Sequence, residues 1–439
     1  MKSLFKNKNI CVVGLGKTGL SCVDFLQKQQ ANIFAMDTRK NFTLPQNFPS
    51  TVAVEIGSLN EEWLLKSDLI ILSPGLSLKT PEIQSAISAG KKVVGDIEVF
   101  CQMAKKPILA ITGSNGKSTV TTLVTEMGKA AGLNVGMGGN IGIPALSLLD
   151  KNCDLYVLEL SSFQLETTYS LSAQGATVLN ISEDHLNRYK DLEDYRQAKL
   201  KIYQRCRYAI TNGEDPLTKW ESYIQDAPIF DKIFAENGGD YWIKTKNDKR
   251  YLMAKDETIL ACDEMGIKGR HNEMNALAAI ALAESTNIPR DAIRQALKEF
   301  TGLSHRFQCI HEKNGVQWIN DSKATNVGST VAALAGLPPL KGNLHLLLGG
   351  DGKGANFDEL KPYLNKPNIY TYCFGQDGQT LANLSKQSTH VSTMKEAIDL
   401  IKTQVKSGDM VLLSPACASL DQFRSFEERG DIFTALAKE

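Results

Sequence analysis

Residues 110–119 combine two glycines, a lysine and several hydroxyls in a pattern that could bind phosphate. The segment reads A-I-T-G-S-N-G-K-S-T. An apolar run at 107–111 predicts a buried strand before it, and 117–131 have helical periodicity. In such a turn, backbone N–H groups point at phosphate oxygens, the lysine neutralises them, and a hydroxyl binds the accompanying Mg²⁺ ion. The predicted ATP-type site consists of Gly113, Ser114, Asn115, Gly116, Lys117, Ser118 and Thr119.

The spacing of this loop departs from the usual G-x-x-x-x-G-K-[ST] pattern. That pattern would place a glycine at position 111, where the chain has Ile111. An ordinary turn ahead of a helix is the alternative interpretation. The occurrence of G-K-S-T directly after an apolar strand favours phosphate binding.

A second glycine-rich turn, G-L-G-K-T-G at 14–19, lies between a predicted strand at 9–13 and a helix that runs to 29. The next strand, 32–36, ends in Asp37, Thr38 and Arg39, where a dinucleotide-binding domain has its ribose-binding acid. An NAD site is therefore one hypothesis. The same helix N-terminus could instead bind the diphosphate of a sugar nucleotide, or the glycines could serve only close strand–helix packing.

Carboxylates and an imidazole follow two predicted strands in the middle of the chain. Glu159 lies at the end of 155–160, and Asp184 and His185 follow 176–180. Because parallel strands end at one edge of a sheet, these groups should lie near the phosphate loop, with Glu159 a candidate Mg²⁺ ligand and His185 a candidate ligand of a second metal. Lys199 lies on a predicted helix at 191–206, where its charge would ordinarily indicate a solvated face.

Three polar loops end predicted strands in the last third of the chain. They are D-S-K-A-T-N at 321–326, G-G-D-G-K-G at 349–354 and S-P-A-C-A-S-L-D-Q-F at 414–423. Lysines and hydroxyls at the carboxyl edge of a parallel sheet suit the binding of a small acid. Ordinary turns would explain any one loop, but less readily all three.

The alternation of strands and helices predicts an α/β protein. Its first unit, with a strand at 69–72 and a helix at 80–89, has a doubly wound pattern that closes near residue 95. We interpret 96–104 as a link and 212–265 as a polar, irregular region with a β-hairpin around Asn247 and Asp248. The predicted domains are 1–95, 96–302 and 303–439.

Composition limits the classes of partner. The chain has 439 residues, which suggests about three domains, and its 49 Lys and Arg balance 49 Asp and Glu. We therefore expect no nucleic-acid or membrane partner. No apolar run approaches the ~20 residues of a membrane span, no signal-peptide pattern is present, and nine scattered cysteines fit neither disulfides nor zinc. We expect a cytoplasmic monomer with reduced cysteines.

Nine motifs in the central and C-terminal predicted domains resemble those of the Mur ligases, and the likeness covers all three predicted domains. The motifs are T-G-S-N-G-K-S-T, L-E-L-S-S-F-Q-L-E, D-H-L-N-R-Y, Y-R-Q-A-K, G-R-H-N-E-M-N-A, H-R-F, D-S-K-A-T-N, L-G-G-D-G-K-G and S-P-A-C-A-S-L-D-Q-F. The departure at position 111 is itself usual in this family. The combination of Lys323 in D-S-K-A-T-N with the last motif resembles the members that add D-glutamate.

The resemblance implies a Rossmann-like N-terminal domain that binds UDP, a central P-loop ATPase-type domain with a parallel or mixed sheet, and a Rossmann-like C-terminal domain that closes over ATP and an amino acid. The implied activity is ATP-dependent ligation of D-glutamate to UDP-N-acetylmuramoyl-L-alanine, through an acyl phosphate and a tetrahedral intermediate, in peptidoglycan precursor synthesis. A sibling ligase with another substrate and an NAD-dependent oxidoreductase remain the alternatives.

The resemblance also implies roles for individual residues. For the UDP substrate these are Lys17, Thr18, Asp37, Thr38, Arg39, Ser73, Pro74, Gly75 and Asn140. Beyond the phosphate loop, ATP would contact Asn272, Asn275, Arg306 and Asp321, and D-glutamate would contact Thr325, Lys353, Ser419, Leu420 and Phe426. Two Mg²⁺ ions would be held by Ser118 or Thr119, Glu159, His185 and a carbamylated Lys199, with Lys117 and Lys323 facing the reacting groups.

Overall fold

The computed structural model describes residues 4–185, 188–221, 226–337 and 340–439, which form three α/β domains, each built on its own sheet. The first sheet has five parallel strands in the order β3-β2-β1-β4-β5. This is the predicted doubly wound arrangement. Its elements are β1 Asn9–Val13, α1 Lys17–Lys28, β2 Asn32–Asp37, β3 Ala53–Ile56, α2 Glu61–Lys66, β4 Leu69–Leu72, α3 Pro81–Ser88 and β5 Val93–Val94.

The second sheet has nine strands in the order β14-β13-β12-β11-β10-β9-β6-β8-β7. Along this order, every neighbouring pair from β12 to β7, including those of β6, is parallel, and β13 and β14 are antiparallel additions. Its elements are α4 Asp96–Met103, β6 Ile108–Thr112, α5 Lys117–Ala130, β7 Val135–Gly139, β8 Leu155–Glu159, α6 Ser162–Glu166, β9 Gly175–Val178, α7 Leu192–Leu200, β10 Tyr208–Asn212, β11 Phe230–Ala235, β12 Tyr241–Lys246, β13 Lys249–Ala254, β14 Glu257–Ala261, α8 Arg270–Ser285 and α9 Arg290–Glu299.

The third sheet has the order β15-β16-β20-β17-β18-β19, and only its edge pair β15–β16 is antiparallel among the pairings of the described residues. The predicted strands at 316–320, 369–374 and 410–413 are confirmed. The elements are β15 Gln308–Lys313, β16 Val316–Asn320, α10 Val327–Ala335, β17 Leu344–Gly349, α11 Lys361–Leu364, β18 Ile369–Phe374, α12 Gly378–Ala382, β19 Ser388–His390, α13 Met394–Gln404, β20 Met410–Leu413 and α14 Phe426–Lys438.

The expected link at 96–104 is a helix. These residues form α4, and its side chains Ile97, Val99 and Phe100 are buried in a core that also contains residues of the first and second sheets. Phe100 packs edge-on against Tyr156 of β8, with ring centroids 5.0 Å apart. The junction between the first two domains is therefore a packed helix.

The interpretation of 212–265 as an irregular region is wrong, although its hairpin is confirmed. β12 and β13 are joined by Asn247 and Asp248, which both have positive φ, as a tight hairpin turn requires. However, β11 pairs in parallel with β10, so the region extends the central sheet. The alternating polar residues are the solvent face of these strands. Residues 222–225 lie outside the described part of the chain.

Two further expectations can be compared with the structure. The predicted helix at 191–206 ends at Leu200, where a short 3₁₀ turn follows. All nine cysteines are described and none forms a disulfide; seven are buried, as expected of packing residues. Among the described residues, no helix has both the length and the apolar character of a membrane span.

Candidate active site

The phosphate loop between β6 and α5 has the backbone geometry that its glycines predict. Gly116 lies immediately before α5 with a φ of 83°, and a Cβ there would approach Asn275 Oδ1 to 2.5 Å. Lys117 folds back over the loop, and its Nζ donates to the carbonyls of Gly113 and Ser114 at 2.8 and 2.9 Å. Burial lowers the pKa of this lysine. The loop thus presents a lysine and a helix N-terminus to one site.

Segments that follow other strands of the central sheet hold the loop in place. The amide of Asn115 donates to Asn180 Oδ1 at 2.8 Å, and Ser114 Oγ donates to the carbonyl of Ser182 at 3.0 Å. The hydroxyl of Tyr195, on α7, lies 3.3 Å from Ser114 Oγ. The loop is therefore fixed before any ligand binds.

Glu159, at the carboxyl end of β8, is 2 % exposed. Asn140 Nδ2 donates to its Oε1 at 2.6 Å, whereas its Oε2 is buried without a partner. A buried carboxylate oxygen without a donor is costly, so this atom fits a cation that arrives with a ligand. In the described parts of the chain, no three His, Cys, Asp or Glu side chains converge to hold a metal by themselves.

Lys199 is 2 % exposed, so the assignment of this position to a solvated helix face is wrong. Its Nζ donates to the carbonyl of Gly113 at 3.0 Å and lies 4.6 Å from the ring centre of Tyr195. Burial, reinforced by the charge of Lys117, lowers the pKa of Lys199 well below 10.5. A buried amine with a lowered pKa thus contacts the phosphate loop.

His185 lies beside the same site with a positive φ of 56°. Its ring is 4.8 Å from that of Phe163, and burial is the main reason that its pKa falls to about 4, although Asp184 opposes the fall. The imidazole is therefore neutral near pH 7, which is the form that binds metals. Residues 186 and 187 of the D-H-L-N-R-Y motif lie outside the described residues.

The third domain contacts the central domain at this loop. Arg306 Nη2 donates to Ser118 Oγ at 2.8 Å, and Lys353 Nζ forms an ion pair with Asp184 Oδ1 at 2.6 Å. Burial opposes ionisation of Asp184, yet Lys353 and His185 hold its pKa at about 2. The contacts bring predicted ATP and amino-acid residues to the phosphate loop, but Lys353 is engaged by a carboxylate of the protein itself.

The other predicted C-terminal residues differ in exposure. Asp321 is buried, which raises its pKa to about 7 against the hydrogen bonds of Ser414 Oγ and the Phe307 amide. The Lys323 ammonium lies 3.8 Å from the ring centre of Phe426, and burial together with Arg306 and Lys117 lowers its pKa to about 8. Of the remaining three, Ser419 is 3 % exposed, Thr325 is half-buried and Leu420 is 72 % exposed.

Arg429 is a site-forming residue that sequence reasoning missed. It is fully buried, and its guanidinium donates to Ser322 Oγ at 3.0 Å, to the Cys417 carbonyl at 3.1 Å and to the Gly349 carbonyl at 3.3 Å. It thereby joins all three polar loops of the third domain. In the sequence it lies in F-E-E-R-G, which resembles the charged first turn of an exposed helix, so no local signal marks it.

On α8, Asn272 and Asn275 lie next to the phosphate loop. Asn275 Nδ2 donates to Asn272 Oδ1 at 3.2 Å, and Asn272 Nδ2 donates to the carbonyl of Lys268 at 2.8 Å. Since Asn275 Oδ1 also adjoins Gly116, the pair is placed where a nucleotide on the loop could reach it. Both side chains are half-buried.

In the first domain, Asp37 is not presented as a free carboxylate. Its oxygens accept from the Leu15 amide at 2.7 Å and from Arg39 Nε and Nη2 at 2.9 and 2.7 Å, and mainly Arg39 lowers its pKa to about 2. Asp37 therefore fixes the glycine turn and Arg39, rather than offering an unoccupied ribose acceptor. Lys17, Thr38 and Arg39 are exposed around it, and Lys17 Nζ reaches the carbonyl of Gly142 in the central domain at 3.3 Å.

The remaining predicted acceptor residues lie at the boundary of the first and central domains. The turn of Ser73, Pro74 and Gly75 follows the carboxyl end of β4 and is partly exposed. Thr18 is half-buried in the first turn of α1, and Asn140 is exposed while bonded to Glu159. Asn140 therefore lies between the acceptor side and the phosphate loop.

Comparisons with known proteins give one consistent result. Three family models match: "Mur ligase MurD-like, N-terminal domain" at 8–95, "Mur ligase middle domain" at 111–283 and "Mur ligase, glutamate ligase domain" at 305–417. Proteins named UDP-N-acetylmuramoylalanine--D-glutamate ligase are similar along their whole length. That of Mannheimia succiniciproducens is 66 % identical over 99 % of this chain and 98 % of its own, and that of Pasteurella multocida is 64 % identical over 100 % of both.

Solved structures show the same fold at low identity. The MurF ligase of Thermotoga maritima, determined with ADP, has a TM-score of 0.64 at 18 % identity and covers 100 % of this chain and 97 % of its own. The UDP-N-acetylmuramate-alanine ligase MurC of Thermotoga maritima has a TM-score of 0.60 at 19 % identity, over 98 % and 99 %. With three family models matched in order and relatives similar over its full length, this chain belongs to the Mur ligase family.

Proposed function

We propose that this chain is the ligase that joins D-glutamate to UDP-N-acetylmuramoyl-L-alanine in peptidoglycan precursor synthesis, with ATP converted to ADP and phosphate. The similarity to ligases of that name at 64–66 % identity over at least 99 % of the chain carries the proposal. The partly buried cationic phosphate loop and its contacts with a third domain support it. The NAD-dependent alternative has no comparable support, because the model that matches 8–95 describes a Mur ligase domain.

The three domains divide the substrates. Residues 1–95 bind the UDP part of the acceptor through Lys17, Arg39 and the neighbouring turns, and 96–302 bind ATP on the phosphate loop. Residues 303–439 bind D-glutamate and contribute Arg306 and Asp321 to the nucleotide. Asn140 lies on the path between the acceptor and the loop, since it bonds Glu159.

The reaction follows from the charges in the site. A carboxylate is a poor electrophile, so the terminal alanine carboxylate attacks the γ-phosphorus of ATP and ADP leaves. The D-glutamate amine then attacks the carbonyl carbon of the acyl phosphate and a tetrahedral intermediate forms. Its C–O bond breaks to release the amide and phosphate, and the proton lost from the nitrogen leaves with the phosphate. Lys117, Lys323 and Arg306 offset the negative charge of the crowded phosphate oxygens, and the contacts of the third domain exclude water that would hydrolyse the acyl phosphate.

The side chains at the loop fit Mg²⁺. The unpartnered Oε2 of Glu159 and the hydroxyl of Ser118 or Thr119 would hold one ion, and neutral His185 with a modified Lys199 would hold a second. When bound, such ions neutralise phosphate oxygens and increase the electrophilicity of the phosphorus.

Lys199 is proposed to carry a carbamate. CO₂ adds to a neutral amine with loss of a proton, and burial of Lys199 favours that neutral form. The product presents anionic oxygens to a region where an ammonium would repel a divalent ion. This converts a buried cation beside Gly113 into an anionic ligand.

D-Glutamate is proposed to bind between the three loops that Arg429 joins. Lys353, Thr325 and Ser419 are the donors for its two carboxylates, with Leu420 and Phe426 lining the site. Because Lys353 pairs with Asp184 in the structure and an ammonium has three donors, Lys353 would either exchange Asp184 for a carboxylate of D-glutamate or bind both carboxylates. The amino-acid site and the loop of His185 are thus coupled.

A panel assay of amino-acid-dependent phosphate release tests the assignment. Purified protein would receive ATP, Mg²⁺, the UDP-N-acetylmuramoyl-L-alanine acceptor and one of D-glutamate, L-glutamate, D-aspartate, L-alanine or diaminopimelate. We expect release only with D-glutamate. Release with another amino acid would indicate a sibling ligase. NAD reduction in a parallel reaction supplied with NAD, together with no phosphate release in the panel, would indicate the oxidoreductase.

A further inference from the structure

Arg188 connects two domains at the junction between the proposed acceptor site and the loop of His185. Its Nη1 donates to the carbonyl of Pro74 at 2.9 Å, and its Nη2 donates to the carbonyl of Leu76 at 3.1 Å. Both carbonyls belong to the turn that follows β4 in the first domain. Nη2 also donates to Glu166 Oε2, at the end of α6 in the central domain, at 2.9 Å.

The same guanidinium lies against the aromatic side chains next to the loop of His185. It lies 4.1 Å from the ring centre of Phe163, whose ring also contacts that of His185 at 4.8 Å. Tyr189 donates to Glu166 Oε1 at 2.5 Å, so both oxygens of that carboxylate are occupied. The amide of Arg188 itself donates to the carbonyl of His185 at 2.9 Å. A displacement of Arg188 would therefore be transmitted to His185.

The geometry requires an arginine at this position. The side chains of Arg188 and Glu166 are 14 % and 16 % exposed, so their charges are largely removed from water and depend on each other. A guanidinium is a planar fork that can donate to two carbonyls and a carboxylate at once, whereas an ammonium is a flexible point charge. Glu166 is held on an ordered helix, because α6 begins with a capping box formed by Ser161 and Gln164.

We propose that Arg188 is a positioning residue that sets the turn of Ser73, Pro74 and Gly75 in register with the loop of His185. The inference rests on the proposed function. Acyl phosphate formation requires the acceptor, held by the first domain, to place its carboxylate in line with a phosphate held by the second. A misplacement of about 1 Å lowers such a rate by about 100-fold. Arg188 spans the two proposed sites without belonging to either.

The test compares Arg188→Met and Arg188→Lys with wild type and with Arg207→Met, which changes an exposed arginine of the same domain. Arg188→Met should lower kcat by about 10- to 100-fold and raise the KM of the full acceptor. Arg188→Lys keeps the positive charge but loses the planar guanidinium, so its kcat should lie between those of Arg188→Met and wild type. UDP alone occupies only the first domain, so calorimetry should show that both Arg188 variants bind UDP with an affinity within about twofold of wild type. Titration with ATP should likewise give affinities within about twofold of wild type.

The outcomes separate positioning from binding and from folding. Near-normal turnover in both Arg188 variants, or a UDP or ATP affinity that falls in parallel with kcat, would overturn the inference. If Arg188→Met fails to fold, Arg188→Lys decides with the same readouts. A wild-type protein that is inactive on the acceptor would overturn the proposed function itself, whereas an active wild type with unaffected variants would overturn this inference alone.

Discussion

Replacement of Lys199 by alanine removes a buried amine at a helical position where a lysine is ordinarily exposed to solvent. Its side chain is 2 % exposed and contacts the Gly113 carbonyl of the phosphate loop. With an ordinary pKa of 10.5, about one lysine in a thousand is neutral at pH 7.5. Burial and the charge of Lys117 lower this pKa. Each decrease of the pKa by one increases the neutral fraction, which reacts with CO₂, about tenfold.

The expected loss follows from the role proposed for a carbamylated Lys199. Removal of one preorganised charge that stabilises a transition state costs about 100- to 1,000-fold in kcat, or ~3–4 kcal/mol. We expect Lys199→Ala to lose at least this much phosphate release. Acetate supplies a carboxylate small enough for the space that alanine leaves, so it should restore part of the rate.

Two measurements check the prediction. Phosphate release would be followed with and without acetate for wild type, Lys199→Ala and the matched control Lys190→Ala, an exposed lysine of the same region. Wild-type protein in ¹³C-bicarbonate should show a carbamate resonance that Lys199→Ala lacks. Near-normal turnover of Lys199→Ala, or an active wild type without the resonance, would refute the reasoning.

Three further predictions concern the central and C-terminal domains. Lys117→Ala should lower phosphate release by more than about 100-fold while UDP affinity, measured by calorimetry, stays unchanged, because the proposed UDP site lies in another domain; a parallel loss of UDP affinity would contradict this separation. Lys353→Met should raise the KM of D-glutamate far more than that of ATP, and equal increases would place Lys353 in the nucleotide site. Asp184 has its pKa lowered from 3.8 to about 2, because Lys353 and, to a smaller extent, His185 and Asn326 outweigh the effect of burial; ionised Asp184 therefore contributes about 2 kcal/mol to folding stability, which is present above pH ~4 and is lost as the pH falls towards 2. Urea unfolding between pH 2 and pH 6 should show this dependence in wild type and its reduction in Asp184→Asn; an identical pH dependence in both would contradict the pairing.

The strands and the phosphate loop could be predicted because their signals are local. Buried parallel strands such as 69–72 and 410–413 are short apolar runs bounded by turn residues, and G-K-S-T needs only the preceding strand and the following helix to be recognised. The helix at 96–103 was missed because its apolar face packs between two domains, a contact that no local pattern indicates. The strands at 230–235 and 257–261 were missed because each is defined by its pairing with a neighbouring strand, β10 or β13, which no local pattern indicates.

The roles of the buried cations could not be predicted from local patterns. Lys199, Arg188 and Arg429 lie in sequences that read as exposed charged helices or loops, and their burial depends on tertiary contacts. Lys199 was singled out only through the family resemblance. The engagement of Asp37 by Arg39 and of Lys353 by Asp184 likewise depends on side-chain geometry.

Transfer of oxygen from the acceptor to phosphate tests the central claim most directly. The acceptor would carry ¹⁸O in both oxygens of its alanine carboxylate and would be turned over with ATP and D-glutamate. The acyl phosphate route predicts one ¹⁸O in each released phosphate and one in the amide product, because the carboxylate oxygen that attacked phosphorus leaves with it. Unlabelled phosphate formed together with the amide would contradict activation of the carboxylate by phosphoryl transfer.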